Sequence, residues 1–112
     1  MADAQVIISQ AGPLPITVTA EIESDGPSVL MLAGSVWSAT ADRMIGFTLF
    51  LDGQPTMIGA SIFSNDPSQH RAVVPVTVPY TFTIGKHEFT LEPLSSDTVT
   101  DANDSFCVTV QY

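Results

Sequence analysis

Basic residues are nearly missing from this chain. Three of them, Arg43, Arg71 and Lys86, stand against twelve acids, giving a formal net charge of −9 over 112 residues. Recognition of nucleic acid or of an anionic membrane surface needs clustered Lys and Arg, so both partners are disfavoured. Charge of either sign is scarce: charged residues make up 13%, about half the usual share. Sparse charge on an apolar chain implies that some surface is covered by another copy or by a partner. There is a single cysteine, Cys107, so an internal disulfide is impossible and packing alone must hold the chain together. It sits between Phe106 and Val108 with no basic neighbour, which marks a structural strand thiol and not a nucleophile. No apolar run approaches the length of a membrane span, so membrane insertion is not expected. The start, Met1-Ala-Asp-Ala-Gln5, lacks the basic region of a signal peptide. An early start and a tidy last strand suggest a complete domain, and length alone gives a single one over residues 1–112.

No helical period runs through the chain; strand and turn signals fill it instead. Gln5 to Ser9 reads as a first strand and Ala11-Gly-Pro-Leu-Pro15 as a rigid connector. Ile16 to Glu23 alternates, with Ile16, Val18, Ala20 and Ile22 on one face and Thr and Glu on the other, as in a half-buried antiparallel strand. Ser24-Asp-Gly-Pro27 is a turn by composition. Strands are expected over Val29–Ser38, Met44–Leu51, Thr56–Phe63 and Gln69–Val78, with Asp52-Gly53 as a hairpin turn and Pro75 and Pro79 at a bend or edge. Thr81–Ile84 and His87–Leu91 are expected to pair around Gly85-Lys86. Pro93 to Asp104 is a long loop, and Phe106 to Tyr112 closes the fold. Regular short strands of this kind specify a sandwich or barrel. Two segments, Leu30–Val36 and Met44–Leu51, are apolar on both faces, which calls for a cover: a second copy of the chain or overlying loops.

The candidates for chemistry are few. Asp97, Asp101, Asn103 and Asp104 offer hard oxygens of the type calcium takes. The spacing departs from an EF-hand and no glutamate closes the loop, so turn chemistry and direct ligand contact stand beside calcium as explanations. His70 and His87 each lie beside charged residues, but neither has metal ligands at a useful spacing. There is no nucleophile elbow and no phosphate-cradling Gly-rich loop. No catalytic residue, metal or cofactor is expected. Trp37, the sole tryptophan, can act as a core anchor or as a platform for a sugar ring. Asn65, Asp66, His70 and Arg71 supply, on and beside one loop, the polar groups that hydrogen-bond sugar hydroxyls.

Phe47-Thr-Leu-Phe-Leu-Asp-Gly53, His70 opening a strand, Thr83-Ile-Gly-Lys-His-Glu-Phe-Thr-Leu91 and the terminal Phe106-Cys-Val-Thr-Val110 resemble, over roughly residues 28–112, the small bacterial and phage jelly-roll domains related to the tumour necrosis factor and C1q superfamily. The resemblance implies a compact homotrimer whose work is binding or assembly. The expectation is therefore an all-β, antiparallel jelly-roll β-sandwich of about 8–10 strands, non-catalytic. In its most concrete form it is a lectin-like trimer with Trp37, Asn65, Asp66, His70 and Arg71 at a glycan site. The alternatives are a purely structural trimer, such as a particle-decoration or fibre-tip domain, and a calcium-dependent adhesion module.

Overall fold

The computed structural model describes residues 3–23 and 25–112. The Ser24 position of the expected turn and the first two residues of the start lie outside the described residues. Among the described residues nine strands form: β1 Ala4–Ala11, β2 Ile16–Ile22, β3 Gly26–Val36, β4 Arg43–Leu51, β5 Gln54–Ser64, β6 Arg71–Ala72, β7 Val76–Phe82, β8 Gly85–Pro93 and β9 Ser105–Gln111. They build two antiparallel sheets. One runs β1-β9-β3, with both β7 and β6 on the far side of β3; the other runs β2-β8-β4-β5. Successive strands thus cross between the sheets at almost every step, the order of a jelly-roll sandwich. Among the described residues no helix is long and apolar enough to cross a membrane.

Two-residue alternation does the sorting. In β9, Phe106, Val108 and Val110 are buried while the residues between them face out. In β4, Ile45, Phe47, Leu49 and Leu51 point inward. Phe47 and Phe106 meet across the layers edge to face at 5.4 Å. Side chains of this size contribute about 1.5–3 kcal/mol each on burial, so the interleaved aromatic and aliphatic rows supply the cohesion that no disulfide provides. Asp52 and Gly53 both take positive φ, 52° and 79°, the conformation of the tight turn that matches strand twist, and β4 and β5 pair as the Asp-Gly dipeptide requires.

Two sequence expectations give way. Thr81–Ile84 and His87–Leu91 do not form a hairpin: β7 pairs with β3, whereas β8 pairs with β2 and β4. The chain changes sheets here, turning through Gly85 at φ 123°, because Phe82 and Phe89 bury into the common core from opposite layers. The single strand expected over Gln69–Val78 is broken into β6 and β7. Between them Val73 donates its N–H to Gly34 O at 2.9 Å and Val74 to Ser61 O at 3.1 Å, so this short stretch stitches one sheet to the other along the sandwich edge. Past its pairing with β8, the backbone groups of Gly46 in β4 are met by the following loop: Leu94 N bonds Gly46 O at 2.9 Å, and Gly46 N donates to Thr98 Oγ1 at 3.2 Å. Glycine is needed at position 46 because a Cβ there would collide with the Ala60 carbonyl of β5.

Candidate functional site

The crossing topology sends the connections 12–15, 37–42, 65–70 and 94–104 to one end of the sandwich, where they interlock. Gly12 N bonds Asp104 O at 2.8 Å, Leu14 N bonds Thr100 Oγ1 at 2.8 Å, and Trp37 and Val99 exchange backbone bonds of 3.0 and 2.7 Å. Ser68 N reaches Ser38 O at 2.6 Å. Trp37, at the end of β3, is thereby held beside the 65–70 loop, and its ring lies 5.7 Å from that of His70. Trp37 is half-buried, and its Nε1–H is a buried donor with no acceptor among the described residues. An unmet buried donor costs about 1–3 kcal/mol, which a stable fold tolerates most readily where a ligand group or water completes the bond.

His70 is fixed from below by Asp104. Asp104 is fully buried, and a buried carboxylate is tolerated only when its charge is answered. Its Oδ1 accepts from Ser35 Oγ at 2.9 Å and from His70 Nδ1 at 2.7 Å, and its Oδ2 accepts from the Asp101 N–H at 2.9 Å. The other ring nitrogen of His70, Nε2, stands 3.7 Å from Asp101 Oδ2. The hydrogen bond to Asp104, aided by the charges of Asp104 and Asp101, raises the His70 pKa above the ordinary 6.5. His70 is therefore an oriented ring at the rim of the loop end, more readily protonated than a free imidazole.

Asn65 and Asp66 are exposed on the same loop, and Arg71 follows in β6, paired with Val36 one residue before Trp37. Among the described residues the side chains of Asn65, Asp66 and Arg71 make no hydrogen bond or ion pair. The structure thus brings Trp37 and His70 into contact and sets the three other expected residues on the adjoining segment with their polar groups uncommitted. Sequence reasoning missed the position of Asp104 beneath His70. An Asp-rich loop reads as exposed, and only the immediately following apolar strand hinted that one acid would be carried inward.

The expected Asp cluster does not stay together. Asp97 leans to Arg43 at 3.6 Å, whereas His70, Asp101 and Asp104 place their ligand atoms within 4.8 Å of one another. Calcium takes six to eight oxygens, and the Asp104 carboxylate already receives three hydrogen bonds. This donor set fits calcium poorly.

A second histidine cluster occupies the opposite end. His87 turns inward against Phe82, ring centroids 5.8 Å apart. Its Nδ1 lies 2.7 Å from Asp52 Oδ2 and its Nε2 lies 2.7 Å from Thr83 O. Both nitrogens face acceptors, which favours the doubly protonated ring and raises the His87 pKa. The Glu88 N–H, at 2.8 Å from Asp52 Oδ1, joins His87 in lowering the Asp52 pKa below 3.8.

No protein-family model matches the sequence, and no curated protein matches it. Solved structures do resemble the fold. Dimeric latent PorU from Porphyromonas gingivalis aligns at TM-score 0.56 and 9% identity over 97% of this chain, which corresponds to 12% of that protein. A family 35 carbohydrate binding module from Clostridium thermocellum aligns at TM-score 0.52 and 9% identity, covering 96% of this chain and 91% of that one. The C-terminal domain of EclA, described as a sugar-binding protein, aligns at 0.50 and 13% identity, covering 99% and 79%. What they share is the β-sandwich. At such identities the likeness speaks for the fold alone.

Proposed function

We propose that this chain is a non-catalytic carbohydrate-binding module whose ligand seats at the interlocked loop end. The observation that carries this reading is the pairing of Trp37 with an Asp104-oriented His70 beside three uncommitted polar side chains. The exposed part of the Trp37 ring takes the apolar face of a pyranose, and His70, Asn65, Asp66 and Arg71 meet hydroxyl groups. The carboxylates of Asp66 and Asp101 balance Arg71 and the histidine within the site, on a chain of net charge −9, so the ligand class proposed is neutral glycan. Two of the structural neighbours carry sugar-binding descriptions, which supports the same reading. The likeness to the tumour necrosis factor and C1q superfamily adds a homotrimer to it. The test is a glycan array probed with the wild type and with Trp37→Ala and Arg71→Ala: binding to neutral oligosaccharides is expected, with loss in both variants. Unchanged binding by both variants sinks the site.

A second reading, assembly without a small ligand, draws on exposed apolar side chains that the loop end does not use, among them Met44, Phe63 and Val74. A silent array together with a stable oligomer selects it. A calcium-dependent adhesion module has less to stand on, since Asp97 is paired elsewhere and Asp104 is saturated.

A further inference from the structure

Strands β1, β3, β7 and β9 contain no Asp, Glu, Lys, Arg or His. The charged residues that abut this sheet stand at its margins: Asp3 ahead of β1, Asp25 ahead of β3, the buried Asp104 ahead of β9, and Arg71 in β6. The other sheet is ordinary, with Glu21, Arg43, Lys86, Glu88 and Glu92 on its strands.

The outer face of the neutral sheet has relief. The register sets Val6, Thr109, Met31 and Thr77 in one row across β1-β9-β3-β7. Val6 is 62% exposed and Met31 39%. The next row toward the loop end holds Ser9, Cys107 and Ala33. Small side chains there leave a hollow of about 280 Å³, lined by Ser9, Ala33, Ser105 and Cys107 among others. Met31 therefore projects beside a hollow that it does not fill, two residues along β3 from Ala33, or roughly 6.6 Å.

We infer that two copies of this chain pair through this face about a two-fold axis between Met31 and the hollow, Met31 of each copy entering the hollow of the other. The pairing goes beyond the glycan reading and does not rest on it. Shape selects the occupant. A half-turn about that axis exchanges projection and hollow, so the face is complementary to itself, which is what an isologous contact requires. Methionine suits the role, being the side chain that best fills an irregular gap. A foreign partner would need its own knob and hole at this spacing; a second copy has both. Charge agrees. The face meets an identical face, so neutral positions oppose neutral ones throughout, whereas the β2-β8-β4-β5 sheet turned on itself would oppose Glu21, Glu88 and Glu92. Met31 and Ala33 also lie in the segment of β3 that is apolar on both sides, and the second copy is the cover for its outer one. Four strands about 4.8 Å apart, overlapping over seven residues at about 3.3 Å each, give roughly 450 Å² per copy. The pair then buries on the order of 900 Å², below the standard size class and in the range of weak interfaces. A Kd of about 10–100 µM is expected. The three-fold arrangement implied by the likeness to the tumour necrosis factor and C1q superfamily needs two different surfaces at each contact; this face is one surface that pairs with itself.

The experiment is sedimentation velocity from about 5 to about 500 µM, a range that brackets the expected Kd, on wild type, Met31→Ala, Ala33→Leu and the variant carrying both substitutions. The wild type is expected to pass from monomer to dimer. Met31→Ala removes the projection and Ala33→Leu fills the hollow, so each is expected to weaken the dimer about tenfold, and the double variant to regain most of the loss. Phe63→Glu, on the other sheet, is expected to leave the dimer unchanged. Added salt is expected to tighten it, because the acids outside the contact repel and are screened. Cys107 reports in parallel, its reaction with a maleimide slowing as the wild-type dimer forms. If circular dichroism shows Ala33→Leu unfolded, Ser9→Leu fills the hollow in its place. A wild type that stays monomeric to the highest concentration overturns the inference. A trimer overturns it in favour of the three-fold arrangement. A dimer indifferent to both single substitutions, or a double variant that regains nothing, overturns the contact between Met31 and the hollow. The glycan array decides the loop end independently of every one of these outcomes.

Discussion

The two histidines make nearly the same bond and live different lives. Each sets Nδ1 at 2.7 Å from an aspartate oxygen. At the far end His87 has its second nitrogen taken by the Thr83 carbonyl, its side chain is 11% exposed, and its aspartate is the half-exposed partner. At the loop end the roles reverse: His70 is 38% exposed, its aspartate is fully buried, and Nε2 has only the Asp101 carboxylate nearby at 3.7 Å. A histidine with every donor spent and its ring inside joins two turns. One gripped from beneath, with its outer edge free, is positioned for something that arrives.

The sharpest way to break this contrast is Asp104→Ala. It strands the Ser35 hydroxyl, the Asp101 N–H and His70 together, and about 3 kcal/mol of stability is expected to go, read as a lower urea midpoint along with loss of glycan binding. Next in size is His87→Gln, which removes a charge-assisted bond to a half-exposed aspartate. About 1 kcal/mol is expected from the same urea titration, with glycan binding untouched; a binding defect here would erase the division of labour between the ends.

A pH series separates the two histidines further. Both folded pKa values are raised above 6.5, so their stabilisation is complete below pH 6.5 and is lost as pH rises through the raised values. The Asp52 value is lowered below 3.8, so its share is present above 3.8 and is lost as pH falls through the lowered value. The melting temperature is therefore expected to be highest between 3.8 and 6.5 and to decline on either side. His87→Gln flattens the alkaline limb, and His70→Ala flattens it less, its ring being the more exposed. His70→Ala is expected to cost less stability than His87→Gln, its ring being the more exposed, against a loss of roughly tenfold or more in glycan affinity by calorimetry. Equal losses of stability at both histidines would make His70 another rivet.

Much of the sandwich was legible because period-two alternation is a local property. β2, β4, β5 and β9 announce themselves residue by residue, and Asp52-Gly53 names its own turn. Pairing is not local. A strand–glycine–strand run such as 81–91 looks alike whether it folds back on itself or crosses to the other sheet, and the choice was made by Phe82 and Phe89 entering the core from opposite layers. The candidate site was half legible for the same reason. Trp37 and the 65–71 segment could be chosen for their chemistry, but their contact depends on β3 ending where β6 begins. That Asp104 would be the buried acid in a run of exposed ones is set by where β9 enters the sheet, which composition does not encode.

One more feature bears on how the molecule can be held. Asp3 and Tyr112 exchange backbone bonds of 2.8 and 2.9 Å, at the end of the sandwich away from Trp37 and His70, on a body 42 Å long. A tether joined ahead of Asp3 or after Tyr112 leaves the described body at the same corner. Immobilised on a sensor surface or displayed on a particle by one terminus or the other, the protein would present the loop end outward in the same orientation.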